Sequence, residues 1–436
     1  MDKKDKYAGF RATCLMVGTM IGAGILALPI NTGIVGIIPS LVGMLLYGAA
    51  MFYSALVLSK EALVMKEPTY NYPTLYGRYL GFGGKWIAIF GYLVLFYGAL
   101  TAYLSGVTVI IANLINLSGK ALILCIFFII FTFMVIRGIE FAGRYNVALT
   151  ILLFLTFAVM IFSVGNIQIN NYKFADWKFL PLTIPIILCA FTFHNVIPTA
   201  CRMLSWDIVR IRKAILTGII IGYIMNGLWI FVVVGALPLQ GKGPSLIDAF
   251  EKNLPATVPL SKVINSNLFV ISAYLFAFLA IATSYLGCGI SLKDFFEDLF
   301  KNHFKIDNNF LVVFFTFAPP FLCSILYPNI FIKALDIAGG IGIVILFGIL
   351  PTLICIKKNL SLFSKRLAFI VLALFCIALI YEVGHELGLL KIRPEVEYLL
   401  PNKDYIPVGR NKNIHPCFQS KAETVSQLIG KAGYKR

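Results

Sequence analysis

The first candidate site is a glycine-rich stretch inside the first apolar run, Gly18-Thr19-Met20-Ile21-Gly22-Ala23-Gly24-Ile25-Leu26-Ala27-Leu28-Pro29. Three glycines in seven positions, followed by a proline, weaken helix propagation. A break inside a bilayer exposes N–H and C=O groups that must line a polar cavity or contact other protein. The stretch therefore predicts a ligand site or, alternatively, a close-packed helix interface, because Gly18 and Gly22 are four residues apart.

A second interruption lies in the sixth apolar run, at Phe191-Thr192-Phe193-His194-Asn195-Val196-Ile197-Pro198-Thr199. His and Asn are costly in lipid, and Pro198 lacks the N–H that would bond back to His194. A lone buried His can also be purely structural. Two interruptions in corresponding runs of two five-span halves nevertheless favour a transporter site built from inverted repeats.

The composition indicates that membrane helices position these stretches. The chain has 436 residues, of which 59% are hydrophobic and 13% charged, with a mean hydropathy of +0.87. This predicts an all-α polytopic membrane protein of about eleven transmembrane helices. The two interruptions add the expectation of a five-plus-five inverted repeat with discontinuous helices 1 and 6. The expected transporter core is 1–390 and a basic tail follows at 391–436. The predicted helices are 10–31, 34–59, 86–117, 121–137 and 146–165, then 180–201, 214–237, 264–290, 309–327 and 331–355, and finally 366–390.

The net charge of +17 indicates membrane orientation rather than nucleic-acid binding. With the N-terminus inside, 21 Lys and Arg residues fall on the cytoplasmic side and 7 on the outer side. Such a bias over short loops predicts a cytoplasmic N-terminus. The remaining nine basic residues lie in the tail after 390, which would be outside the cell if there are eleven spans.

Other function classes lack their sequence signatures. No GxxxxGK[ST] motif for a pump, TVGYG-like filter for a channel, HExxH motif or CxxC spacing occurs. We therefore expect no enzyme activity, no metal site and no cofactor. An intramembrane enzyme stays open as a less favoured alternative, with His194 or the pair His385-Glu386 as its catalyst.

Four motifs together resemble the bacterial aromatic amino acid permease family, of the tryptophan/tyrosine type, in the amino acid–polyamine–organocation superfamily. They are the glycine-rich stretch, Thr101-Ala-Tyr-Leu-Ser-Gly106, the Phe-Thr-Phe-His-Asn-Val-Ile-Pro stretch at 191–198 and Ala282-Thr-Ser-Tyr-Leu-Gly287. The resemblance covers about residues 7–390. It implies a symporter in the bacterial inner membrane that imports tyrosine or tryptophan with protons by alternating access. Transport of other neutral amino acids with sodium is the alternative.

The expected partners are an amino acid and the lipid bilayer, with no protein partner identified. N–H groups at the first break would bind the substrate carboxylate, and carbonyls between Cys189 and Phe193 would accept from its ammonium group. Aromatic side chains would line the pocket, although in an aromatic-rich chain each could simply be packing. The predicted substrate-binding residues are Gly22, Ala23, Gly24, Ile25, Tyr103, Phe191, Phe193, His194 and Asn195.

Resemblance to the superfamily also implies an ion-coupling site where the eighth helix meets the first. Hydroxyls there could equally bond back to their own helix. The candidate residues are Gly18, Ile21, Ala280, Thr283 and Ser284. Five carboxylates lie within or near the spans, and none is chosen as a proton carrier: Glu61, Glu140, Asp336, Glu382 and Glu386.

Overall fold

The computed structural model describes residues 7–66, 72–115, 119–137, 139–165, 167–241, 243–358 and 362–390. These residues form helices, and none of them is in a strand. The tail 391–436 lies outside the described residues, so its predicted role stays a prediction. The helices are α1 Ala8–Met20, α2 Gly24–Gly33, α3 Ile37–Met65, α4 Tyr72–Ile115, α5 Lys120–Ile136, α6 Ile139–Phe162, α7 Leu180–Ala190, α8 Ile197–Met203, α9 Ile208–Ala236, α10 Leu246–Glu251, α11 Thr257–Val263, α12 Asn267–Asp298, α13 Asn309–Leu326, α14 Phe331–Ile337, α15 Leu350–Lys357 and α16 Leu362–Glu386.

Eight of the described helical segments are long and apolar enough to cross a membrane. The pair α1 and α2 forms one further candidate span, bent by 54°. Two shorter apolar helices, Lys120–Ile136 and Ala148–Phe162, lie at the positions of the fourth and fifth of the eleven predicted spans. The all-α polytopic class is confirmed, whereas the count of eleven and the inverted-repeat symmetry stay predictions.

The first span is discontinuous, as the glycine-rich stretch predicts. α1 ends at Met20 and α2 begins at Gly24, so only three residues separate the two half-helices. Pro29 lies inside α2 and does not end it. The glycines therefore mark the break, and the proline follows one turn later.

The sixth apolar run is also discontinuous. α7 ends at Ala190 and α8 begins at Ile197, with one 3₁₀ turn at His194–Val196 between them. Pro198 occupies the first turn of α8, where its missing N–H costs nothing. The proline thus starts the second half-helix, and the unwound segment lies before it.

The two broken spans pack against each other in the centre of the bundle. α2 contacts α7 and α9, and α1 contacts α8 and α9. α12 packs on α4 and α6, and its Ser284 contacts the first break. The described core therefore holds both interruptions among packed helices, as unsatisfied backbone in lipid requires.

Two backbone features were not predicted. Gly81, with φ 74° and ψ −164°, divides α4 into a helical segment 72–80 and the membrane span. In the tenth apolar run, a π-helical segment Ala338–Ile349 continues α14 into α15. Its glycines allow close packing, since a Cβ on Gly342 would lie 2.6 Å from the Leu95 backbone nitrogen. π-Helical geometry of this length is rare and is often found at functional sites.

Candidate functional site

The breaks in the two discontinuous spans face each other at Gly24. A Cβ built on Gly24 would lie 3.2 Å from the carbonyl carbon of Cys189 and 3.3 Å from the nitrogen of Ala190. Those two residues end α7. The start of α2 and the end of α7 thus meet backbone to backbone, and this close approach explains the glycine.

A hydroxyl from the eighth apolar run completes the first break. The Ala23 N–H donates to Ser284 Oγ at 3.3 Å. A Cβ on Gly22 would overlap the same oxygen atom. Ser284, one of the predicted ion-coupling residues, therefore belongs to the wall of the first break.

The start of α2 retains backbone donors. The N–H groups of Ile25 and Leu26 bond to the carbonyls of Gly22 and Ala23, at 3.2 and 3.1 Å. Within the described part of the chain, the N–H groups of Gly22 and Gly24 have no hydrogen-bond partner. Unpaired N–H groups at a helix N-terminus form an anion-binding site.

Tyr103 of α4 lies beside this break. Its hydroxyl is 3.7 Å from the sulfur of Cys288, which follows Ser284 by one helical turn. Cys189 is close enough to interact electrostatically with both Tyr103 and Cys288. The structure therefore brings together one polar or polarisable side chain from each of α4, α7 and α12 around the glycine break.

Phe191, a second of the three predicted aromatic wall residues, packs elsewhere. Its ring lies against α3, where a Cβ on Gly48 would be 3.3 Å from Phe191 Cε1.

Several carbonyls proposed for the ammonium group already accept hydrogen bonds. Those of Cys189 and Phe193 accept from backbone N–H groups, and that of Ala190 accepts from Asn226 Nδ2 at 3.3 Å.

His194 and Phe193 line the second break on the side of α3 and the π-helical segment. His194 is fully buried, its Nε2 is 3.2 Å from the Met51 carbonyl, and its ring stacks on Phe347 at 4.9 Å. Phe193 is also fully buried and lies 4.9 Å from the His194 ring. Asn195 Oδ1 is buried without a partner among the described residues.

The remaining ion-coupling candidates occupy packed positions. The Thr283 hydroxyl donates to the carbonyls of Leu279 and Ala280 in its own helix, the alternative that its sequence context left open. Ala280 and Ile21 are fully buried. Gly18 lies against α6, where its Cβ would be 3.0 Å from Thr150 Cγ2.

Sequence reasoning missed two tyrosines. Tyr72 donates its hydroxyl proton to the carbonyl of His194, and Tyr76 donates to the carbonyl of Leu346 in the π-helical segment. Both are buried, and they lie one turn apart in the segment 72–80. Their spacing of four residues, just before a glycine cluster, is the sequence feature that could have indicated them. We call Tyr72 and Tyr76 the tyrosine pair.

Two broken helices that meet inside a helical membrane bundle define a class of protein, the secondary transporters with discontinuous spans. The model of the tryptophan/tyrosine permease family matches residues 5–384. The chain belongs to this permease family, whose members are transporters and not enzymes.

Named relatives in bacteria align over most of the chain. A tyrosine-specific transport system of Haemophilus influenzae is 30% identical over 338 residues, covering 75% of this chain and 83% of the relative. A tryptophan-specific transport protein of the same species is 27% identical and covers 74% and 82%. The low affinity tryptophan permease of Escherichia coli K12 is 24% identical and covers 81% and 88%. The resemblance inferred from motifs is thus confirmed.

Proposed function

We propose that this protein imports tyrosine or tryptophan across the bacterial inner membrane by proton-coupled alternating access. The observation that carries the proposal is the pair of N–H groups of Gly22 and Gly24 at the start of α2, which have no hydrogen-bond partner among the described residues. They lie where two discontinuous helices meet. Names of the aligned relatives support an aromatic substrate.

Substrate recognition starts from the carboxylate. Every amino acid presents one, and the positive end of the α2 dipole favours an anion at Gly22 and Gly24. Tyr103 and Cys288 lie beside this position and offer an aromatic face and a polarisable sulfur to an aromatic side chain. Because every amino acid carries the carboxylate that this site would bind, selectivity for aromatic amino acids would come from the neighbouring wall.

The tyrosine pair supports alternating access. Tyr72 and Tyr76 bond the segment 72–80 to the unwound part of the sixth run and to the π-helical segment. These bonds would keep the bundle closed towards the end at which α1 begins. Opening of the bundle towards that end would break both hydrogen bonds. The closed and open arrangements would then differ by a few hydrogen bonds.

The distribution of basic residues supports a cytoplasmic N-terminus. Cytoplasmic placement of the N-terminus puts 21 basic residues inside and 7 outside over the predicted loops. The end closed by the tyrosine pair is then the cytoplasmic end. Substrate would bind from the outside and leave after the two tyrosine bonds break.

Uptake into proteoliposomes tests the proposed function. Purified protein would be assayed with labelled tyrosine, tryptophan, phenylalanine, leucine and alanine, under a pH gradient without sodium and under a sodium gradient without a pH gradient. We expect accumulation of tyrosine or tryptophan with the pH gradient alone. Strict sodium dependence, or preference for leucine or alanine, would favour the alternative of a sodium-coupled carrier for other neutral amino acids.

A further inference from the structure

Two carboxyl groups are buried in the half of the bundle opposite the tyrosine pair. Asp336 of α14 is 6% exposed and Glu382 of α16 is 1% exposed. α14 opens its span at Phe331 and α16 ends at Glu386, so both carboxyls lie within two turns of the same end of the bundle. Neither residue belongs to the two helix breaks.

The two carboxyls face one short stretch of helix. Gly340 follows Asp336 by one turn, and a Cβ on Gly340 would lie 2.7 Å from Glu382 Cδ. The absent side chain of Gly340 thus provides the space that the Glu382 carboxyl occupies. The carboxyl of Asp336 is close enough to that of Glu382 to interact with it electrostatically.

Neither carboxyl is fully paired within the described residues. Asp336 Oδ1 and Glu382 Oε1 are buried and have no hydrogen-bond partner there. The nearby ammonium group of Lys333 makes its ion pair with Glu386. Glu61 provides the contrast, because this buried carboxyl at the other end of the bundle is paired with Lys358.

The other titratable groups around the pair come from three helices. Lys333 and Glu386 lie towards the solvent, and Tyr381 precedes Glu382 with its hydroxyl buried and unpaired among the described residues. His385 lies 3.9 Å from Glu386. From α7, the Cys189 thiol is close enough to interact electrostatically with both carboxyls.

The helices α2 and α4 also pack on α14. α2 contains no titratable residue. The tyrosines of α4 nearest this contact are Tyr97 and Tyr103, and their hydroxyls contact the Phe315 carbonyl and the Cys288 sulfur. No cation from these helices therefore compensates the two carboxyls in the described structure.

We propose that Asp336 and Glu382 together form the binding site for the cotransported proton. This inference rests on the proposed function and adds the site of coupling. Binding converts one carboxylate into a carboxylic acid, and release of the proton restores the carboxylate. Burial disfavours two adjacent negative charges, and the ammonium group of Lys333 is already paired with Glu386, so a bound proton stabilises this arrangement.

Contacts connect this carboxyl pair to the substrate site. Cys189 Sγ donates to the carbonyl of Leu335, the residue before Asp336, at 3.2 Å. The backbone of Cys189 in turn contacts Gly24 at the start of α2. A change in charge at Asp336 is therefore one hydrogen bond and one backbone contact away from the N–H groups proposed to bind the carboxylate.

The test compares two transport modes of the double variant Asp336→Asn/Glu382→Gln in proteoliposomes. Exchange of internal for external tyrosine needs no net proton movement, whereas accumulation under a pH gradient does. We expect exchange within about twofold of wild type and accumulation reduced at least about tenfold. Asp248→Asn removes an exposed carboxyl that forms an i,i+4 ion pair with Lys252, and it should keep both modes.

Each result has one meaning. Accumulation equal to wild type in the double variant would overturn the proton site, and so would loss of exchange together with accumulation, which indicates a structural role. A pH-sensitive dye inside the vesicles gives a second readout, in which tyrosine should acidify the lumen for wild type and not for the double variant. Wild-type protein without any tyrosine exchange would instead reject the proposed function.

Discussion

The two helix breaks differ in composition and in what they contact. The first is built from Gly22, Ala23 and Gly24, and it leaves two backbone N–H groups without partners among the described residues. At the second, the large side chains of Phe191 and His194 pack against α3 and the π-helical segment. Small residues leave backbone accessible to a ligand, and large ones fill the space around it.

This difference suggests a division of roles between the breaks. The first break has its donors at a helix N-terminus and a hydroxyl from Ser284 beside them, which suits ligand binding. The carbonyl of His194 in the second break accepts from Tyr72, outside the broken spans. We therefore expect changes at the first break to affect substrate affinity and changes at the second to affect conformational equilibrium.

The largest effect is expected for Gly24→Val. Its side chain would displace the backbone of Cys189 and Ala190 and separate the α2 N-terminus from α7. Loss of two hydrogen bonds to a charged carboxylate, at about 1.5–3 kcal/mol each, should reduce tyrosine uptake at least about 100-fold. Gly9→Val is the matched control, because a Cβ on Gly9 of α1 meets nothing within 4 Å.

Both variants should appear in the membrane in normal amounts and elute as single species in size-exclusion chromatography. If Gly24→Val retains wild-type uptake, the first break does not bind the substrate carboxylate.

Ser284→Ala should have the next largest effect. The Ala23 N–H loses its acceptor, and an unpaired buried donor costs about 1–3 kcal/mol. We expect the apparent KM for tyrosine to rise about tenfold, measured by concentration-dependent uptake. Ser284→Thr keeps a hydroxyl and should recover part of the affinity, whereas equal loss in both variants would point to a packing defect.

Tyr72→Phe tests the second break. It removes the hydroxyl that donates to the His194 carbonyl and keeps the ring, at a cost of about 1 kcal/mol. The population open at that end should rise about fivefold. Cys201 of α8 is fully buried and reports this opening through its rate of alkylation, read by mass spectrometry.

The exposed Tyr327 at the start of the loop before α14 provides the control variant Tyr327→Phe. The alkylation rate of Cys201 should be unchanged there. Equal rates in wild type and Tyr72→Phe would show that the tyrosine pair does not close this end.

The smallest effect is expected for Thr283→Val. The hydroxyl donates only to carbonyls of its own helix, so its loss should change uptake by no more than about twofold. Uptake rates under a pH gradient give the measurement. If uptake falls tenfold or more and a higher sodium concentration restores it, the result would favour sodium coupling at Thr283.

The sequence located both breaks because Gly and Pro act locally. Clustered glycines weaken a helix and a proline favours the start of a new one, and the observed breaks fall at residues 21–23 and 191–196. Span positions follow equally directly from hydropathy. These features depend on the chain's immediate neighbours in sequence.

The directions in which side chains point could not be predicted from the local sequence. Thr283 and Ser284 are adjacent, and a helix rotates by about 100° per residue, so only the three-dimensional structure reveals that Ser284 contacts the first break. The contacts of His194 and Phe191 depend on the packing of α3. The π-helical segment, and with it the approach of Glu382 to Gly340, arises from packing that no local pattern encodes.

Competition between tyrosine and tyramine tests the central claim most directly. Tyramine lacks the carboxylate and keeps the ring, the hydroxyl and the ammonium group. If the N–H groups of Gly22 and Gly24 bind the carboxylate, unlabelled tyrosine should displace labelled tyrosine from purified protein at least about 100-fold better than tyramine. Equal displacement by tyramine would contradict the assignment of the first break as the carboxylate site.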